Sequence, residues 1–195
     1  MDPLAFSLAV LALLATPGPT NTLLASSGAS VGFSRSLKLI PSEVCGYLVS
    51  ISALIALFAP LIVRYPQAVI GLKVLASLWL AFYALRLWRE AGVEIGTPIV
   101  PISIWRVFVT TLLNPKALIF ALGIFPHGSL VQEGPWFAGF CALVIIVATG
   151  WIVMGTVVAR SAGALVTPQR IGKAAAICLA LFATVIVGSA IAAVH

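Results

Sequence analysis

Charge is what this sequence has least of. Charged side chains make up 8% of its 195 residues, against about 25% in a soluble domain, so the chain cannot clothe its own surface in water. Acids are scarcest, with five Asp and Glu in all, beside two His. Glu43 is the one acid inside an apolar run; no Asp lies there, and His127 and His195 fall outside. A buried active site built on a nucleophile, a base or a metal cluster therefore lacks its parts, and no enzyme activity, cofactor or metal is expected. The three cysteines, Cys45, Cys141 and Cys178, stand singly in separate apolar segments. They have no metal or redox spacing and read as small core residues. The first apolar run has no basic residues ahead of it, only Asp2, and prolines stand where a cleavage site would fall, so it is expected to be retained. The net charge of +6 is not a nucleic-acid signal, because the basic residues cluster at the ends of apolar runs.

Hydrophobic residues fill 62% of the chain, in runs suited to crossing about 30 Å of hydrocarbon with about 20 helical residues each. Lipid cannot satisfy backbone N–H and C=O groups, so spans are helices or closed barrels. Runs such as Leu48 to Leu57 do not alternate apolar and polar residues, which excludes the barrel pattern. Six spans are predicted: Pro3 to Ser26, Leu39 to Val63, Gln67 to Trp88, Ile104 to Phe125, Trp136 to Val158 and Ala174 to Val194. The link Arg89 to Ser103 holds Gly92, Gly96, Pro98 and Pro101 and reads as a loop. It divides one membrane domain into a first half (1–89), a cytoplasmic link (90–103) and a second half (104–195). Eight of the eleven Lys and Arg fall on one side of this layout, two on the other, and Lys116 within span four. The positive-inside rule then places both termini outside the cytoplasm. Three spans per half set the halves in opposed orientations. The expected fold is thus an all-α integral membrane protein of six transmembrane helices in two three-helix halves, an inverted repeat with spans one and four broken at proline.

Those breaks are the chemically distinctive features. The first reads Thr16-Pro17-Gly18-Pro19-Thr20-Asn21 and the second Leu113-Asn114-Pro115-Lys116, with Thr16-Pro17 and Asn114-Pro115 at an offset of 98. Proline lacks an N–H and clashes with the carbonyl four residues back, which frees the carbonyls of Leu13 and Ala15. Gly18 is read as permitting backbone angles that other residues resist. Asn suits an N-cap and Pro the first helical position, and Thr16-Pro17 is read the same way. Half-helix N-termini attract anions. A charge such as Lys116 in mid-span costs about 2.5–3.5 kcal/mol and marks a cavity or a partner. A proline kink alone often only shapes packing; two at matching positions in opposite halves are the pattern of secondary transporters with midplane sites. Glu43 has two readings: a first-turn acid near water, or a carboxylate that binds a substrate amine or exchanges a proton. Gly28 and Gly32 read as a small-residue helix contact. Trp88, Trp105 and Trp136 suit interfacial belts, and Tyr47 is one turn beyond Glu43.

The stretches Thr16-Pro17-Gly18-Pro19-Thr20-Asn21-Thr22-Leu23-Leu24 and Leu112-Leu113-Asn114-Pro115-Lys116-Ala117, the latter followed by Phe125-Pro126, resemble the lysine-exporter (LysE/RhtB) superfamily of bacterial amino-acid exporters. Length and layout match over essentially the whole chain. The resemblance implies a plasma-membrane carrier that exports amino acids or related metabolites, coupled to the proton gradient, with its motif at Pro17, Gly18, Pro19, Asn21, Asn114, Pro115 and Lys116. The chain departs from a common form of the pattern at Thr20. It also lacks the intramembrane Asp of many members, and Glu43 is the nearest substitute. Span five offers only Thr149 and Thr156 as polar side chains. So few acids argue against cationic substrates and for a neutral zwitterion. The expected partners are a small-molecule substrate and the lipid bilayer, with a homodimer left open. Competing readings are a transmembrane thiol redox carrier, which needs two cysteines able to meet, and a non-catalytic membrane assembly protein, which has no need of a mid-span Lys116.

Overall fold

In a computed structural model, residues 2–65, 68–90, 101–126 and 130–160 are described, together with scattered positions between 173 and 188. Among the described residues the chain is helical, with no strand. Helix α1 (Pro3–Ala15) is started by Asp2, whose Oδ2 accepts from the Ala5 N–H at 2.9 Å, with Pro3 in the first turn. This is the arrangement that satisfies an otherwise orphaned N-terminal donor. It stops at Thr16 because a residue before proline is driven out of the helical region, and Thr16 has φ −58°, ψ 128°. Helix α2 (Pro19–Val31) follows at 62° to α1. Gly32, at φ +84°, ends α2 in a conformation few residues other than glycine adopt. A short α3 (Phe33–Ser36) and a 3-10 turn (Leu37–Leu39) lead into α4 (Ile40–Arg64), and α5 (Ala68–Glu90) comes next.

The second half opens with α6 (Ile104–Leu112) and α7 (Pro115–Ile119), the latter running into a π turn over Phe120–Ile124, with 43° between the two arms. Helix α8 (Leu130–Arg160) is the last continuous stretch among the described residues. It begins earlier than the predicted Trp136 and carries Pro135 inside it, one turn beyond the first, where the missing N–H gives up one helical hydrogen bond. Among the described residues two stretches, Phe33–Phe58 and Glu133–Arg160, are long and apolar enough to cross a membrane, and there are up to four if each bent pair is one span. The predicted sixth span lies outside the described residues except for isolated helical positions, and most of the 90–103 link lies outside them too.

The core joins the halves. Tyr47 on α4, Phe120 on the π turn and Phe140 on α8 meet edge to face, with ring centroids 4.9–5.7 Å apart, the preferred geometry for aromatic quadrupoles. Trp136 packs on Phe6 at 4.9 Å, so it belongs to this core rather than to an interfacial belt, whereas Trp88 and Trp105 are exposed. Helix α2 lies directly against α8. A Cβ on Gly28 would stand 2.2 Å from the Ile152 carbonyl oxygen, and one on Gly155 1.9 Å from that of Ala25. Such backbone contact is what small residues permit between membrane helices. Gly32, by contrast, has open space around it; its role is conformational, not the packing role predicted beside Gly28.

Candidate functional site

The arm α1 ends in carbonyls, and the break deprives them of intrahelical donors. Two of them find donors across the fold. The amide Nδ2 of Asn21 donates to the Leu14 and Thr16 oxygens at 2.8 and 2.9 Å, one hydrogen for each. The Lys116 ammonium donates to the same two oxygens, at 3.4 Å to Leu14 and in a short bond to Thr16. Lys116 is 1% exposed. A cation at a helix C-terminus is stabilised by the dipole, and hydrogen bonds from a charged donor are the stronger kind. The expected positive charge in mid-span is present, but it faces the C-terminus of α1 rather than an open cavity.

Gly18 makes this reach feasible. Its φ of −168° is extended backbone open to any residue, so the expectation of unusual angles is wrong. What matters is space: a Cβ there would sit 3.2 Å from Lys116 Cε and 3.4 Å from Nζ. Thr16 also departs from its expected role. It caps the end of α1, its hydroxyl donating to the Ala12 oxygen at 2.9 Å, while α2 starts at Gly18-Pro19, because Pro19 in turn bars Gly18 from the helical region. Pro17 and Pro19 act through the backbone.

At the second break Asn114 behaves as predicted. Its Oδ1 accepts from the Lys116 N–H at 3.1 Å, with Pro115 in the first helical turn. That bond fixes the amide orientation, leaving Nδ2 to donate to Thr20 Oγ1 at 3.1 Å and to the Tyr47 hydroxyl at 3.3 Å. Thr111 donates to the Val107 carbonyl at 2.8 Å, so at the 3.1 Å contact between the two threonines the proton belongs to Thr20. The chain of donation therefore runs from Asn114 through Thr20 and Thr111 to the backbone. The Leu112 carbonyl, freed by the break, accepts from Ser50 at 2.9 Å.

Glu43 is in the first turn of α4 but 2% exposed, so it is not the water-facing acid of its simpler reading. Its Oε2 is buried with no hydrogen-bond partner among the described residues. It lies within electrostatic range of both Lys116 and Tyr47. The fold thus gathers Thr16, Gly18, Asn21, Glu43, Asn114 and Lys116 around one buried locus. Thr20 and Thr111 were not among the expected site residues. Thr111 is in the last turn of α6, and its carbonyl accepts from the Asn114 N–H across the break at 3.0 Å; Thr20 stood out only as a departure from a motif. An apolar groove between α5 and positions 176–188 is lined by none of these residues.

Apolar helices of membrane length, with two bent pairs meeting over a buried cation, mark the class as a helical membrane protein. The chain belongs to the LysE type translocators, whose family model matches residues 11–195; it is a transporter, not an enzyme. It is similar to the cysteine/O-acetylserine efflux proteins of Escherichia coli (strain K12), Shigella flexneri serotype 5b (strain 8401) and Shigella sonnei (strain Ss046). Each is 27% identical over 136 residues, covering 69% of this chain and 70% of the relative. No solved structure matches the chain.

Proposed function

We propose that the chain exports a small neutral amino acid or a related metabolite across the bacterial plasma membrane, driven by the proton gradient, by alternating access at the two broken helices. The observation that carries this reading is the buried Lys116 ammonium bonded to the end of α1, an intramembrane charge shared by both breaks. Such charges mark substrate and ion pathways. The efflux relatives named above act on small neutral zwitterions, cysteine and O-acetylserine, which suits a site with one acid and one base.

In this reading the substrate binds among Thr16, Pro17, Gly18, Pro19, Asn21, Asn114, Pro115 and Lys116. Its carboxylate faces Lys116 and the start of α2, which has no side-chain cap and so presents N–H groups and a positive dipole end. Its amine faces the Leu14 and Thr16 carbonyls and Glu43. Glu43 exchanges the coupled proton, as a buried acid within electrostatic range of Lys116. Six spans in two opposed halves, with both termini on the non-cytoplasmic side, complete the proposal.

The test is efflux from proteoliposomes loaded with labelled cysteine, O-acetylserine, threonine, serine and lysine under an imposed pH gradient. Protein-dependent efflux of one or more neutral compounds that collapses with the gradient is expected. A correctly folded protein that moves none of them would sink the reading; efflux of lysine alone would overturn the neutral-substrate part of it.

A further inference from the structure

The ammonium of Lys116 and the ammonium of an amino acid are the same chemical object, a cation with hydrogens to donate and no acceptor. Here the first already occupies the acceptors that the second would need. Each carbonyl oxygen of Leu14 and Thr16 has two lone pairs. Asn21 takes one on each oxygen and Lys116 the other. Asn21 can therefore hold the carbonyls in place whether or not Lys116 is there, and a vacated second lone pair is ready for another ammonium. The buried Glu43 carboxylate is within electrostatic range of Lys116. Gly18 leaves the Lys116 stem room at the break.

Resting on the export reading, we propose that the Leu14 and Thr16 carbonyls, oriented by Asn21, are the substrate-ammonium subsite, and that Lys116 fills this subsite in the empty carrier. The lysine is an internal stand-in for the substrate's amine. It keeps buried acceptors satisfied when no substrate is bound, so the unloaded carrier can return. Substrate displaces it, and it then faces Glu43 and the substrate carboxylate. No bond is made or broken; two ammonium groups compete for one pair of oxygens.

The consequence is a difference between net efflux, which needs the empty carrier to return, and exchange, in which the carrier is loaded both ways. In Lys116→Met proteoliposomes at saturating substrate, net efflux is expected to fall about tenfold or more beyond any fall in exchange, since the empty carrier must now bury two carbonyls that keep only their Asn21 bond and have lost the charged donor. External methylammonium, which can donate from the emptied position, is expected to restore net efflux, and tetramethylammonium, which has no N–H, is not. Gly18→Ala keeps the lysine but crowds its ammonium; it serves as a second variant and is expected to shift the ratio in the same direction by a few-fold. Equal losses of efflux and exchange in a Lys116→Met protein that melts and elutes like the wild type would overturn the proposal, as would unchanged ratios in both variants or rescue by both cations. Wild-type protein that transports no compound overturns the export reading instead, and the wild-type arm separates that failure from this one.

Discussion

The break after α1 is short of donors, and the break after α6 is not. The first bends the chain by 62° and leaves the Leu14 and Thr16 oxygens to be satisfied by Asn21 and by a charged group from the other half. The second bends it by 43° and needs no charged partner, with Asn114 capping its own helix and the freed Leu112 oxygen taken by the neutral Ser50 of α4. Two proline breaks that a repeat would make equivalent have become acceptor and donor. The second half supplies the Lys116 cation, and the first supplies the carbonyls that hold it.

The largest effect expected is that of Lys116→Ala. Hydrogen bonds to a charged group are worth about 1.5–3 kcal/mol each, so net efflux in the proteoliposome assay should drop by about tenfold to a hundredfold or more. Efflux at the wild-type rate would remove Lys116 from the mechanism and make the two breaks independent. Next comes a pair of identical substitutions. Asn21→Asp sets an acceptor against two buried carbonyls and should destabilise the protein by about 2–5 kcal/mol. Asn114→Asp keeps a good cap and can accept from Thr20 and Tyr47, so a change within about 1 kcal/mol is expected. Thermal unfolding in detergent measures both, and equal losses would erase the acceptor–donor distinction.

A third comparison separates room from conformation. Gly32→Ala should cost about 1–3 kcal/mol because its positive φ suits glycine, with the net-efflux to exchange ratio of the folded fraction unchanged. Gly18→Ala should leave stability nearly intact yet alter that ratio; the reverse pattern would show that Gly18 serves the backbone after all. Smallest is Thr111→Val, which takes away the oxygen accepting from Thr20 and should lower stability by about 0.5–1.5 kcal/mol, read by the same unfolding assay.

The positions of the broken helices were legible in the sequence because proline acts locally. It removes an N–H and restricts the residue before it wherever it stands. Asn114 as a cap was legible for the same reason. Gly18 was misread: glycine's absent Cβ can serve either φ or space, and only the passage of Lys116 beside it shows that space is the need. Thr16 was misplaced because Pro17 and Pro19 both suit a helix start; Pro19 keeps Gly18 out of the helical region, so α2 starts after Gly18 rather than after Thr16. Tyr47, Thr20 and Thr111 belong to the site through contacts between elements far apart in sequence, which periodicity does not encode.

By itself, the sequence determined that this protein is a membrane protein, that it is helical, and that two of its apolar segments cannot remain straight. Those properties follow from hydropathy and from backbone chemistry within a few residues. Only the tertiary structure decided what the breaks bond to. A freed carbonyl has no fixed partner until another element arrives, and here the Leu14 and Thr16 oxygens, Asn21 and Lys116 come from both halves of the chain. Whether a mid-span lysine meets lipid, water, an acid or a helix end is settled by packing. In this fold it meets the end of α1, where the dipole, the bare glycine and two orphaned oxygens coincide.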